Sequence, residues 1–142
     1  MVERLTAFSQ KDWADLDGLM RELSATSSCT ESRLKEALED ANTHILVIRD
    51  DGRIVATGTL CIKHTPEFTL ADIEAVVVKA ACRGKGYGRQ LVQALIDQAR
   101  SQGAHHIQLT SNPARVAANR LYQELGFEKY DTNCYKLLFK LK

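Results

Sequence analysis

A short glycine-rich loop is the part of this sequence whose residue types could do chemistry. Residues 83–89 read RGKGYGR, so three glycines alternate with larger residues, and Arg83, Lys85 and Arg89 carry positive charge. Glycine lets a backbone turn at positive φ and brings N–H groups close to a ligand. A helix that begins near Gly86 would add unpaired N–H donors and the positive end of its dipole. The loop therefore predicts a site for an anion such as a pyrophosphate; an ordinary basic surface turn is the alternative.

The spacing of the glycines excludes two familiar phosphate loops. A Walker A loop requires Gly-Lys followed by Ser or Thr, whereas Gly86 follows Lys85 here. A dinucleotide fingerprint requires G-x-G-x-x-G within a βαβ unit, whereas this loop reads G-x-G-x-G and antiparallel strands are predicted before it.

Two carboxylates on the predicted strand before the loop could act on a basic substrate. Asp72 and Glu74 lie two residues apart in ADIEAVVV, so strict alternation places them on one face of the strand, together with Val76 and Val78. Such a pair would attract a cationic amine. Salt bridges to lysines are the alternative.

Hydrophobic periodicity predicts the elements that must position these residues. A short strand over 2–7 precedes two helices, one capped by Ser9 and one by Thr30. Asp51-Gly52 then joins two strands in a hairpin, and a third, long strand leads into the loop.

The second half of the chain continues the alternation. The loop opens a helix that Gly103 ends, and the strand HHIQLT follows. Asn112 and Pro113 predict the N-cap and first residue of another helix. FEKY and CYKLLFK are predicted as two closing strands. The pattern predicts one mixed α/β domain over residues 1–142.

Composition limits the class of protein. The 142 residues carry 19 basic and 18 acidic side chains, a net charge of +1, which gives no general attraction to nucleic acid or to an anionic membrane. We therefore expect neither as a partner. The N-terminus lacks the apolar core of a signal peptide, so we expect a cytoplasmic protein. The four cysteines form no C-x-x-C pair, so we expect reduced thiols and no metal site; a reactive Cys82 beside Arg83 is the alternative.

Two motifs and the element order resemble the GCN5-related N-acetyltransferase (GNAT) family. R-x-x-G-x-G begins at Arg83 between an apolar strand and an amphipathic helix, and ANRLYQELGF begins at Ala118. The resemblance covers nearly the whole chain. It implies a GNAT fold, with a mixed, mostly antiparallel central sheet of about six to seven strands flanked by about four helices. It also implies an acetyl-CoA-dependent N-acetyltransferase that acts on a primary amine of a small molecule by direct attack, without a metal.

The family's functional residues can be carried over to matching positions. In the family, the loop backbone grips the pyrophosphate of acetyl-CoA and the preceding strand pairs with the pantetheine arm. The implied cofactor-binding residues are Val76, Val77, Val78, Arg83, Gly84, Lys85, Gly86, Tyr87, Gly88, Arg89, Asn112 and Asn119.

The resemblance implies the general acid and the donor to the carbonyl oxygen, and the two strand carboxylates are the candidates for the base. Tyr122 matches the position of the family's usual general acid. A phenol with a pKa of about 10 is protonated at neutral pH and can donate a proton to a departing thiolate. Simple packing of the ring is the alternative. A backbone N–H around Val76 to Val78 would donate to the carbonyl oxygen. Glu74 or Asp72 would bind the amine or act as the base, with Glu74 preferred.

Arg115 departs from the family pattern, because many members have Asn at that position, seven residues before the Tyr. R-x-x-A-N-x-L-Y here resembles a branch with R-x-x-A-H-x-F-Y that acetylates small amines, including aminoalkylphosphonates. The middle of the chain also resembles glucosamine-6-phosphate N-acetyltransferases, which usually have Glu-Asp where this chain has Glu74-Ala75. A protein N-acetyltransferase and a non-catalytic acetyl-CoA-binding regulatory domain are further alternatives, and a homodimer is possible.

Overall fold

Five strands and four helices make up the part of the chain that the structure, a computed structural model, describes, which is residues 1–140. The sheet has the order β1-β2-β3-β4-β5, and all neighbours are antiparallel except β4 and β5, which are parallel. The strands are β1 Val2–Arg4, β2 Thr43–Asp50, β3 Arg53–His64, β4 Thr69–Val78 and β5 His106–Gln108. The helices are α1 Gln10–Leu23, α2 Glu31–Glu39, α3 Tyr87–Ser101 and α4 Val116–Glu124.

Helices cover both faces of the sheet, which explains why the strands are apolar on both faces. One face packs on α3 through Leu91, Leu95 and Ala99. The other packs on α1 and α2 through apolar residues that include Leu16, Leu19 and Leu34. Within residues 1–140, no helix combines the length and the apolar character needed to span a membrane.

Local signals in the first half of the chain are confirmed. The Ser9 hydroxyl accepts a hydrogen bond from the Asp12 N–H at 3.1 Å and caps α1. The Thr30 hydroxyl accepts from the Arg33 N–H at 3.1 Å and caps α2. The Asp51-Gly52 turn joins β2 to β3, with φ of 53° and 75° at its two residues, as a primed hairpin turn requires.

A β-bulge interrupts β4 just before the glycine loop. Thr57 pairs with Val77 and Thr59 pairs with Glu74, so β4 has one more residue than β3 between these pairs. Ala75 has a φ of 53°, a left-handed conformation that is unusual for a residue with a side chain. An extra residue of this kind shifts the alternation of all residues that follow it.

The bulge makes one expectation wrong. Ile73 packs in the cluster under α3, and beyond the bulge Val76 and Val78 contact that same cluster. Asp72 and Glu74 therefore do not share a face with Val76 and Val78. The sequence argument failed because it applied a period of two across a residue that breaks this period.

Two predictions about the C-terminal part are also wrong. FEKY and CYKLLFK form no strand among residues 127–140, so the sheet has five strands rather than six or seven. A strand-like sequence forms a strand only beside a partner, and β5 is only three residues long. The last helix begins at Val116 rather than Pro113, because Asn112–Arg115 forms a turn in which the Asn112 carbonyl accepts from the Arg115 N–H at 3.0 Å.

Candidate active site

A cleft opens where β4 and β5 separate. Their ladder runs from the pair Leu70–His106 to the pair Asp72–Gln108, and the main chain of β4 beyond it does not pair with β5. A cavity of about 610 Å³ lies in this cleft, between the end of β4, the glycine loop, α1 and α4. A smaller cavity of about 150 Å³ adjoins it between β4, the end of β5 and α4.

The glycine loop has the geometry that the sequence predicted. Gly84 and Gly86 have φ of 81° and 82°, which favours glycine at both positions. Gly86 is the N-cap of α3 and offers no side chain to cap it, so the first N–H groups of this helix lack intrahelical partners. These donors and the helix dipole lie beside the large cavity and suit a phosphate-sized anion.

The basic residues of the loop differ in their positions. Arg83 lines the large cavity, and its Nε donates to the Val78 carbonyl at 3.2 Å. Arg89 also lines the cavity and forms an ion pair with Glu124 of α4. Lys85 is exposed and does not line the cavity. Of the three basic residues of the loop, only the two arginines therefore line the cavity.

The strand residues predicted to hold the cofactor, Val76 to Val78, line the large cavity, as do Tyr87 and Gly88. A Cβ on Gly88 would lie 3.5 Å from the Leu121 side chain, which shows how closely α3 approaches α4 here. The bulge separates Val76 to Val78 from Glu74 and leaves part of the β4 main chain available to a ligand.

Tyr122 lies between the two cavities and lines both. Its side chain is buried, and its ring packs against Phe127 with the centroids 5.8 Å apart. Burial raises the pKa of Tyr122, while the nearby positive charge of Arg115 partly offsets this effect. The phenol is therefore protonated at neutral pH and can donate a proton into either cavity.

The two carboxylates are placed very differently. Glu74 is exposed and lines the smaller cavity, which it shares with Tyr122. Asp72 is buried, forms an ion pair with Lys63 of β3 and lines neither cavity. Only one of the two predicted carboxylates is thus brought together with the tyrosine.

Asn112 and Asn119 contact each other rather than the cavities. The Asn119 side-chain amide donates to the Asn112 carbonyl at 3.0 Å. The Asn112 side chain accepts from the Ala114 N–H at 2.9 Å. Both contacts stabilise the turn before α4, and neither residue lines either cavity.

Several lining residues were not predicted from the sequence as site residues. Arg115, the N-cap of α4, lines both cavities, and its Nη2 donates to the Val76 carbonyl at 3.3 Å. Glu22 lines the large cavity from α1, and its carboxylate accepts from the Ala80 N–H at 2.9 Å. The only sequence signal was the arginine that replaced the family's asparagine.

Within residues 1–140, no group of three or more His, Cys, Asp or Glu side chains is arranged to hold a metal ion. The absence of a metal stays a prediction from the sequence.

Comparisons with known proteins identify a family and agree with this fold. The profile of the acetyltransferase (GNAT) family matches residues 9–127. Glucosamine 6-phosphate N-acetyltransferase 1 of Oryza sativa subsp. japonica is 27% identical over 122 residues, which cover 78% of this chain and 71% of that protein. L-methionine sulfoximine/L-methionine sulfone acetyltransferase of Pseudomonas aeruginosa is 44% identical over 54 residues, which cover 38% of this chain and 31% of that protein.

A solved structure supports the fold. The glucosamine-6-phosphate N-acetyltransferase from Arabidopsis thaliana superposes with a TM-score of 0.79 at 23% identity, covering 98% of this chain and 99% of that one. The predicted mixed α/β class is confirmed. The chain therefore belongs to the GNAT family of acetyltransferases, which use acetyl-CoA as a cosubstrate, and it is an N-acetyltransferase.

Proposed function

We propose that this enzyme transfers the acetyl group of acetyl-CoA to a primary amine of a small molecule by direct attack. The observation that carries the proposal is that Glu74 and Tyr122 line one cavity, which opens onto the cleft beside the glycine loop. A carboxylate and a protonated phenol are the two groups that such a transfer needs, one to accept a proton and one to donate it.

The cofactor site fits acetyl-CoA by its chemistry. Gly84 and Gly86 take positive φ, and the N-terminus of α3 presents N–H donors, so the segment Arg83 to Arg89 would hold the pyrophosphate. The β4 main chain from Val76 to Val78 would hold the pantetheine arm. An N–H of the same segment would stabilise the thioester carbonyl oxygen as negative charge develops on it.

The proton transfers can be assigned to side chains. When bound, acetyl-CoA supplies the acetyl group as an activated thioester. Glu74 would attract the substrate ammonium and accept its proton, directly or through a water. Tyr122 would donate its hydroxyl proton to the departing sulfur. Asp72 stays a second candidate for the base, but its ion pair with Lys63 favours Glu74.

A thiol-release assay tests this function. Acetyl-CoA turnover would be measured with sugar amines, amino acids, polyamines and peptides, and binding of acetyl-CoA would be measured separately by calorimetry. We expect turnover with a small amine. Turnover with peptides alone would favour a protein N-acetyltransferase, and binding without any turnover would favour a regulatory domain.

An amino-sugar phosphate is the alternative substrate with specific support. The rice relative that matches 78% of this chain carries glucosamine 6-phosphate in its name. Alanine at position 75, where such enzymes usually have a second carboxylate, weighs against it. Glucosamine 6-phosphate is therefore included in the assay.

We further propose that the protein is one cytoplasmic domain, spanning 1–142, that forms a homodimer. Four free cysteines support a reducing location. Exposed apolar side chains near the C-terminus support self-association, and they are Tyr130, Tyr135, Leu137, Leu138 and Phe139. Light scattering of the purified protein measures the oligomeric state, and a monomer at every concentration would contradict the dimer.

A further inference from the structure

We infer that the acceptor molecule carries an anionic group close to its primary amine, and that Arg115 binds this group. The inference rests on the proposed function, because it names the chemical class of the small amine. It assigns Arg115 as the residue that sets acceptor specificity.

The smaller cavity contains two opposite charges. Glu74 lines it from β4, and Arg115 lines it from the start of α4, and Thr110 and Tyr122 belong to the same lining. An amine with no other charge would meet an attractive carboxylate and a repulsive guanidinium. A molecule that carries both an ammonium and a phosphate or carboxylate would match both charges.

Arg115 retains donors for such an anion. A guanidinium has five N–H donors, and the bond that Arg115 makes is to the Val76 carbonyl at 3.3 Å, slightly longer than usual for N–H···O. Within residues 1–140 it forms no salt bridge.

Other arginines of the same protein make a clear contrast. Arg49 binds both oxygens of Asp12 at 2.8 and 2.9 Å, and Arg53 binds Asp15 with two nitrogens. These side chains have carboxylate partners within the protein, whereas the described part of the chain provides none for Arg115. A planar fork of donors is well suited to a phosphate or carboxylate from a ligand.

The guanidinium also lies near the reacting groups. Its bond to the Val76 carbonyl joins α4 to β4 at the boundary of the two cavities. Burial raises the pKa of Tyr122, and the positive charge of Arg115 partly offsets this rise, so the guanidinium lies close enough to act on the hydroxyl. An anion held there would keep the attached amine between Glu74 and Tyr122, so Arg115 would position the substrate for both proton transfers.

Matched acceptor pairs test the inference. The pairs are glucosamine 6-phosphate with glucosamine, and phosphoethanolamine with ethanolamine, so that only the anion differs within a pair. We expect kcat/KM to be at least about tenfold higher for the anionic member of a pair that fits the cavity. Arg115→Gln should reduce kcat/KM for that member by about 10- to 100-fold and so remove most of its advantage over the neutral member.

Two further variants separate recognition from folding. Arg115→Lys should restore part of the lost preference, since it keeps the charge without the fork. Arg100→Gln is the matched control, because Arg100 is an exposed arginine on α3 whose side chain is 75% accessible and lies outside both cavities. It should leave both members of a pair unchanged.

A binding measurement distinguishes the two proposals. Calorimetry would compare the anionic amines with their neutral partners on the CoA-loaded wild type and on CoA-loaded Arg115→Gln. If turnover occurs but Arg115→Gln affects both members equally, the inference is overturned and the proposed function stands. If no amine turns over but anionic amines bind in an Arg115-dependent way, the proposed transfer fails and the anion site stands. Equal binding of both members to both proteins overturns the anion site.

Discussion

Replacing Gly86 with alanine should weaken acetyl-CoA binding without unfolding the protein. Gly86 is the N-cap of α3 and has a φ of 82°. A Cβ built there meets no atom within 4 Å, so within the protein the change introduces no clash and acts through the backbone alone. Any effect on binding therefore arises at the loop itself, from its backbone conformation or from contact of the added methyl group with the cosubstrate.

The cost to folding can be worked out from this conformation. A left-handed backbone costs a residue with a side chain about 1–2 kcal/mol. Replacing glycine also restricts the unfolded chain, which returns about 0.4–1 kcal/mol. Gly86→Ala should therefore lower the free energy of unfolding by about 1 kcal/mol. If this strain moves the N–H groups of the loop away from the pyrophosphate of acetyl-CoA, each N–H contact that is lost should raise the Kd of acetyl-CoA by at least about tenfold.

Gly103→Ala is the matched control for this change. Gly103 follows the other end of α3, has a φ of 77° and also has no atom within 4 Å of a built Cβ. Both variants should show a similar loss of stability in urea denaturation, and only Gly86→Ala should bind acetyl-CoA more weakly in calorimetry. An unchanged Kd for Gly86→Ala, at the expected loss of stability, would refute the assignment of the loop as the pyrophosphate site.

Three further predictions concern single side chains. Tyr122→Phe should lower kcat by about 100-fold or more while the Kd of acetyl-CoA stays unchanged, because only the donated proton is removed; equal kcat would exclude the acid role. Burial, with a contribution from Arg4, lowers the pKa of His44 below its usual 6.5. The neutral imidazole should therefore contribute fully to the free energy of unfolding above pH 6.5, and this contribution should be lost as the pH falls from there toward the lowered pKa. A His44→Phe variant should lose this dependence in urea titrations. Asp15→Asn should lower the free energy of unfolding by about 1–3 kcal/mol at pH 7, because the carboxylate accepts hydrogen bonds from Arg53 and from the Ile54 N–H at 3.1 Å. These bonds lower the pKa of Asp15 below 3.8. In urea titrations the difference in stability between variant and wild type should therefore disappear only as the pH falls through that lowered pKa.

Features that depend on neighbouring residues could be predicted from the sequence. The caps at Ser9 and Thr30, the Asp51-Gly52 hairpin and the start of α3 at the glycine loop each follow from side-chain or backbone chemistry within a few residues. The end of the large cavity that the loop lines also follows, because the loop fixes where α3 begins.

Features that depend on distant partners could not be predicted. The bulge at Ala75 is visible only from the pairing of β4 with β3, and no residue type in EAVVV indicates it. Asp72 and Glu74 look equivalent in the sequence, yet the β3 neighbour Lys63 binds only Asp72. Likewise, a strand pattern over 134–140 cannot tell which partner strand is available.

The role of Arg115 lies between these cases. The sequence marks it as a departure from the family pattern, but its significance depends on where α4 begins. Because Asn112–Arg115 forms a turn, Arg115 lies at the N-terminal end of α4, as its N-cap, rather than within the helix. Its side chain can therefore reach back to β4, which helical periodicity alone would not suggest.

The separation of β4 from β5 has a practical consequence for storing and concentrating the protein. Beyond Asp72, one edge of β4 presents main-chain groups that β5 does not pair with, and such an edge is a template for another extended chain. Leu137 and Phe139 near the C-terminus are exposed, so we expect this apolar segment of a second molecule to compete for the edge. Saturating acetyl-CoA should protect the edge and, at 100 times its Kd, add about 2.7 kcal/mol to the stability of the folded protein. Preparations kept with the cosubstrate should therefore aggregate more slowly than preparations kept without it.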